Sequence, residues 1–323
     1  SYQHLAVQET EQWEHIYPRI IYNIYDIKDN FMKGNINLNN QFQINKDLNE
    51  NYTTLASSQL NWYKNSIDTN SGLVFENRAN LRLVSISIDN KNSEDTDNIR
   101  FYPQIHSVIS YPLLKSNTGI SQTLSPILMP ILAPYNNYTG AQNISGSNLF
   151  SSNRATSIKE WESGPRINYG VEWFLDNNID TTLKFTIGQS FRLNKERSDT
   201  TEELSDYYFS SNASFTNNYI NNTIVIDRKD IDVKSISMNT YSDIYDLRFK
   251  IDYDYTSGKY SNINEQVAVG GEYNFKDNFY LKFTGTKDID TNKNIGYQYG
   301  LLYEDNCLGV DFNYYRDLTI DRD

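Results

Sequence analysis

The sequence predicts an all-β fold, a transmembrane antiparallel β-barrel of about sixteen strands. Three observations predict it. Apolar and polar residues alternate along many segments, so each strand has one apolar and one polar face. The segments run to about ten residues or slightly more, the length a tilted strand needs to cross a bilayer, whereas strands of soluble sheets are nearer five or six. The connections are alternately short and long, as in an outer-membrane barrel with tight turns at one rim and loops at the other. A soluble sandwich has no reason to sort its loops by parity.

Composition agrees. The chain has 323 residues, a net charge of -12 and only 38% hydrophobic residues, with a mean hydropathy of -0.65. Such low hydropathy often marks disorder, but 26 Tyr, 15 Phe and 4 Trp give this chain apolar surface to bury. Every-other-residue patterning dilutes that surface with Asn, Asp, Ser and Thr. No run approaches the roughly 18 apolar residues of a spanning helix, which excludes a helical membrane protein and leaves barrels untouched. The acidic balance argues against nucleic acid as a partner, since phosphate binding needs clustered Lys and Arg. The single cysteine, Cys307, has no internal disulfide partner. The chain opens on SYQHLAVQETEQWEH, which is no signal peptide, so an internal fragment or a processed chain is expected.

Residues 1–13 are polar, show no period and stay unassigned. Residues 14–323 are expected to form one barrel segment, incomplete at both ends. Residues 15–25 are β-rich around Pro18. Ile36, Leu38, Phe42 and Ile44 share a face within 34–46. Strands are expected at 51–65 and 73–87; the polar loop 89–97 precedes another at 99–114. After the SNTG turn an apolar strand carries Pro126, Pro130 and Pro134. A polar loop, 135–163, follows. Then Ile167, Tyr169, Val171 and Trp173 alternate against Arg166, Asn168, Gly170 and Glu172. Leu183, Phe185, Ile187, Phe191 and Leu193 oppose Lys184, Thr186, Gly188, Ser190 and Arg192. Weaker strands are expected at 206–215 and 219–228, and 231–240 breaks strict alternation. Tyr245, Leu247, Phe249, Ile251, Tyr253 and Tyr255 then alternate with Asp246, Arg248, Lys250, Asp252 and Asp254. Four further strands follow, on Val267 to Phe275, Phe279 to Phe283, Ile295 to Tyr303 and Leu308 to Tyr314, which close the series. The short links are LDNNID, TNN, SD, KDN and EDN; between them lie NKERSDTTEELS, DRKDID, TSGKYSNINE and DTNKN.

In a barrel the Tyr, Phe, Leu and Ile face meets lipid, with Tyr near strand ends at the interface. Asp246, Arg248, Lys250 and Asp252 are then expected to face the lumen, because charges in hydrocarbon are costly. Pro126, Pro130 and Pro134 recur every four residues and so share a face. Each removes a ladder donor, which kinks a strand feeding a large loop or weakens the wall. Chemistry is not expected. The three histidines, His4, His15 and His106, form no metal-ligand spacing. His106 with Ser107 or Ser110 is the sole pairing resembling a nucleophile and base. No catalytic residue, metal site or cofactor is assigned, although loop carboxylates could bridge Ca²⁺ or Mg²⁺.

At NLFSSNR and EWESGPRINYG the chain resembles a known family, the LPS-assembly protein LptD (organic solvent tolerance protein), in its C-terminal barrel and in its alphaproteobacterial form. Asn148, Leu149, Phe150, Asn153 and Arg154 match the first motif. Glu162, Gly164, Arg166, Asn168, Tyr169 and Gly170 match the second. Where the family carries Gly-x-Asp-Arg this chain has SIKE at 157–160. The tail YEDNCLGVDFNYYRDLTIDRD also matches, through Tyr303, Asp305, Cys307, Arg316 and 321–323.

The resemblance implies a larger barrel of about 26 strands, within the range of outer-membrane barrels, of which this chain is the C-terminal part without the closing strand. It implies insertion of lipopolysaccharide into the outer leaflet of the cell outer membrane, through a plugged barrel with a lateral gate outside this chain. The implied partners are membrane lipids, lipopolysaccharide, an LptE-type lipoprotein plug and an LptA-type periplasmic bridge reached through an N-terminal domain. It also implies a disulfide from Cys307 to that domain, which an oxidising periplasm permits. Two rivals stay open: a general porin that closes alone, and a soluble β-rich adhesin with its aromatics packed sheet on sheet.

Overall fold

The computed structural model describes residues 4–6, 13–16, 18–47, 51–90, 94–135, 144–155, 160–177, 179–193, 203–259, 264–305 and 308–318. Among them no helix is long and apolar enough to cross a membrane. Among the described residues nineteen strands form one antiparallel sheet. They are β1 (His4–Ala6), β2 (Trp13–Ile16), β3 (Ile20–Asp29), β4 (Gly34–Lys46), β5 (Tyr52–Ile67), β6 (Val74–Asp89), β7 (Thr96–Ser110), β8 (Leu113–Asn117) and β9 (Ile120–Leu132). After the long loop come β10 (Arg166–Asp176), β11 (Thr181–Arg192), β12 (Tyr207–Phe215), β13 (Asn218–Ile226), β14 (Val233–Ile244) and β15 (Leu247–Thr256). The last are β16 (Asn264–Lys276), β17 (Phe279–Asp288), β18 (Lys293–Glu304) and β19 (Gly309–Asp317).

Proline explains why there are more segments than wall strands. β2 and β3 both pair with β4, at His15↔Lys46 and Ile20↔Phe42, and Pro18 separates them. β7 and β8 both pair with β9, and Pro112 separates them. Each pair is one interrupted wall strand, because proline withdraws a ladder donor. The wall from β2 and β3 to β19 therefore makes about sixteen crossings. β1, where no strand was expected, adds a short antiparallel piece on β2.

From β9 onward most links sort by length, although 289–292 is no longer than 177–180 or 305–308 at the opposite rim. Residues 216–217, 245–246 and 277–278 are tight turns at one rim, while 133–165, 193–206 and 257–263 lie at the other. Nearer the N-terminus the contrast fades, since 68–73 and 90–95 are alike. The doubtful 231–240 segment is a full strand, β14, in register with β13 and β15. Its turn falls at Tyr245–Asp246, not at SD. Tyr245 sits there at φ 56°, so Asp246 is a turn residue and not a strand position facing the lumen. Two-residue hairpins need positive φ at their centre, which fixes the register against the simple alternation.

The two faces divide as the pattern implies. In β6 and β7, Leu81, Leu83, Phe101 and Ile105 are exposed, while Asn80, Arg82, Tyr102, Gln104 and His106 are buried. Exposed aromatics recur along the wall, among them Phe283, Tyr299, Phe312 and Tyr314. Such a band suits acyl chains and removes the adhesin reading, which needs those rings packed against a second sheet. The inner face is not uniformly polar, however. Leu55, Val84, Ile86, Tyr102 and Trp161 form an apolar cluster there, because the loop between β9 and β10 folds onto the inner wall and brings Trp161 with it.

Candidate functional site

The loop between β9 and β10 carries both halves of the motif, and the fold brings them together. Asn148 shapes its first turn, its Oδ1 accepting from Ser145 N at 2.8 Å. Leu149 is wholly buried. A Cβ on Gly188 would come within 2.7 Å of Leu149 Cδ2, so Leu149 rests on the bare backbone of β11. Gly146 approaches β12 as closely, 2.5 Å separating its notional Cβ from Ser210 N. Asn153 Oδ1 accepts from Glu162 N at 2.8 Å and Ala155 N at 3.3 Å, tying the two motif halves.

Glu162 is the centre. It is fully buried, and three guanidiniums converge on its carboxylate. Arg154, from the loop, donates Nε to Oε2 at 2.8 Å and closes a second bond from Nη2 to Oε1. Arg166, at the start of β10, lies 3.1 Å from Oε2. Arg192, at the end of β11, reaches Oε1 at 2.7 Å. Burial pushes the Glu162 carboxyl up, but the Arg154 hydrogen bonds and the charges of Arg166, Arg154 and Arg192 outweigh it and hold the group below the usual carboxylate range. The same arginines clamp loop carbonyls. Arg166 Nη2 donates to Ser152 O at 2.5 Å and Nη1 to Gly164 O at 3.3 Å; Arg192 Nη1 donates to Ser163 O at 3.3 Å.

A second set of contacts fixes the loop to β6 and β7. Gln104 Nε2 donates to Ser152 O at 2.8 Å, and Asn80 Nδ2 donates to Gln104 Oε1 at 3.3 Å. Trp161 stacks on Tyr102 with ring centroids 6.3 Å apart, and the Arg82 guanidinium lies 5.2 Å over the indole. The loop therefore joins the β6–β7 wall to the β10–β11 wall. Gly164, at φ 83°, allows the return, and its N–H donates to Pro134 O at 3.2 Å. Losing one partner of a buried ion pair costs about 3–5 kcal/mol, so the cluster acts as a pin even though forming it gains less.

The remaining motif residues divide by face. Asn168 is buried inside and accepts from Ser190 Oγ at 2.7 Å. Gly170 pairs with Gly188, leaving room for Leu149. Tyr169 is on the opposite face and donates to Gln189 Oε1 at 2.9 Å. Phe150 reaches a cavity with Ser151, Ser152 and Asn153. Far along the wall, Arg248 pairs with Glu272 at 2.9 Å and Asp243 at 3.7 Å, and Lys250 with Asp252 at 2.7 Å. These are half-exposed pairs of little energetic weight. Cys307 lies outside the described residues.

Sequence reasoning missed Arg192, Trp161, Tyr102, Arg82 and Gln104 as site residues. Arg192 stood on the polar face of its strand with no local sign of a role. Trp161, a large apolar residue inside a polar loop, was the signal available. The His106 pairings come apart. Ser107 follows His106 in an extended strand and so points to the other face, where it donates to Asn77 Oδ1 at 2.9 Å. Ser110 lies four residues on, about 13 Å along the strand. Among the described residues no group of His, Cys, Asp and Glu could hold a metal ion.

Comparisons with known proteins follow this geometry. No curated protein matches. Among solved structures, one mutant of Rh. blastica porin is 10% identical, with a TM-score of 0.38 over 88% of this chain and 95% of its own. Another mutant of the same porin is 12% identical, with a TM-score of 0.37 over the same shares. The model of the family LptD, LPS transport system D, matches residues 15–279, which contain the pinned loop and its whole ion cluster. This transmembrane β-barrel chain therefore belongs to the LPS transport system D family.

Proposed function

We propose that the chain forms the wall of a conduit in the cell outer membrane that inserts lipopolysaccharide into the outer leaflet. The family match supports transport of LPS. The observation that carries the finer reading is the pinned loop. A wall whose exposed face is apolar holds a buried polar clamp on its inner face. Such an interior suits sugar and phosphate groups, and the exposed face suits acyl chains. We read the chain as part of a barrel of about 26 strands. Further strands, a lateral gate between them, an LptE-type plug in the lumen and an LptA-type bridge belong to this reading. So does a disulfide from Cys307 to a periplasmic domain. Ca²⁺ or Mg²⁺ bridging loop carboxylates to LPS phosphates belongs to it as well, although Asp230 and Asp232 already share Lys259.

The test is depletion of the full-length protein in its cell, with arrival of newly made LPS at the surface as the readout. Delivery should stop, and a lipoprotein should co-purify in detergent. Unchanged delivery, together with stable ion conductance of this chain alone, would favour a passive porin instead. In the oxidised full-length protein Cys307 should resist alkylation until reductant is added.

A further inference from the structure

The seam between β7 and β9 is broken beside a proline-bearing strand. β9 pairs with β10 without interruption from Ser121 to Ile131. Toward β7 its register passes from His106↔Ile131 to Ile109↔Leu128, leaving Met129 and Pro130 unpaired with Ser107 and Val108. Pro126 O accepts from Tyr111 N at 3.1 Å, so the side of Pro126 without a donor also faces β7 and β8. Pro130, four residues on, presents the same side. The prolines thus strip donors from this one seam and spare the β9–β10 ladder.

Directly behind the gap lies a cavity of about 350 Å³ on the inner face. It is lined by Glu76 and Arg78 of β6, His106 and Val108 of β7, Met129 of β9 and loop residues 150–153. Glu76 and Arg78 sit 3.1 Å apart with half-exposed side chains, offering an acceptor beside a forked donor. His106 is 95% buried, and its Nδ1 has no hydrogen-bond partner among the described residues. Phe150 and Met129 add apolar surface. An acid, a guanidinium and an imidazole beside apolar side chains match the alternating hydroxyls and C–H faces of a sugar ring. On the other side of the wall Ile105, Leu128 and Leu132 are exposed.

We propose that this cavity is a binding site for the sugar head of an amphiphilic glycolipid, with its acyl chains lying along the proline-broken seam outside. The proposal rests on the reading of this chain as an LPS conduit and gives that conduit a resting site within the wall, away from the sheet edges. Bound sugar hydroxyls replace water on Glu76 and Arg78 and give the His106 Nδ1 a partner. The weakened ladder lets β7 and β9 part enough for head and chains to occupy opposite faces.

The experiment places a benzophenone side chain at Val108 or, as a second inner position, at Asn239 of the full-length protein, and irradiates cells whose own LPS is the probe. An LPS adduct is expected at Val108. It should fall at least tenfold when Glu76→Ala and Arg78→Ala are combined, in protein that still migrates as a folded barrel. LPS delivery measured in the same cells separates the two layers of inference. Delivery that depends on the protein, with no adduct at Val108 or an adduct indifferent to Glu76 and Arg78, overturns the site and leaves the conduit. Delivery that does not depend on the protein overturns the conduit and the site together.

Discussion

Replacing Glu162 with Gln should unpin the loop at neutral pH. The side chain keeps its size and one acceptor but loses the charge on which Arg154, Arg166 and Arg192 converge. Removing one partner of a buried pair costs about 3–5 kcal/mol. Each 1.4 kcal/mol is tenfold, so loop opening should become about a hundred- to several-thousand-fold more frequent, with Gln near the lower end. Hydrogen exchange reads this, because Glu162 N donates to Asn153 Oδ1 across the two motif halves and Gly164 N donates to Pro134 O beyond the end of β9. Peptides covering 145–155 and 160–166 should exchange faster by that factor, while β14 to β18 stay unchanged. Acid should imitate the variant in the wild type. The Glu162 carboxyl is held below its ordinary value, so its contribution is complete above the unfolded pKa. It is lost only as pH falls through the lower folded pKa. Exchange in Glu162→Gln that rises less than tenfold, while Trp161→Ala releases the same peptides, would refute the ion cluster as the pin and leave the indole as the anchor.

Gly188→Val should also dislodge the loop, because its side chain would occupy the place of Leu149; overpacking of this kind costs about 1–3 kcal/mol, read as faster exchange at Leu149. Pro126→Val with Pro130→Val should restore seam donors and stabilise the folded barrel by about 0.5–1.5 kcal/mol per bond regained, seen as a higher unfolding temperature in detergent. Leu83→Arg, on the apolar face, should reduce assembled barrel by an amount corresponding to about 2–4 kcal/mol if it lies near the bilayer midplane. Ser237→Arg on the inner face should assemble normally, and equal loss from both would contradict the assignment of faces.

Much of the wall could be read along the chain because a strand's two faces are set locally. Leu81 and Leu83 point one way and Arg82 the other whatever the neighbours do. The alternation around Tyr169 and Arg166, and the length of each segment, follow from the same geometry. Hairpin centres were less legible. Tyr245 and Asp246 fit the alternation of β15 and still form its turn, because a one-residue choice of register depends on the pairing of β14 with β13.

The amino-acid order alone determined an antiparallel wall with an apolar face toward lipid, a polar face behind it, and a long loop bearing Arg154 and Glu162 ahead of a strand that opens on Arg166. Only the tertiary structure decided that this loop turns inward, that Arg192 from another strand completes the cluster around Glu162, and that Trp161 creates an apolar patch on the inner wall. The physical reason is range. Strand periodicity is written into adjacent residues, whereas a buried carboxylate is stable only where charges from distant segments meet it, and no local pattern records that meeting.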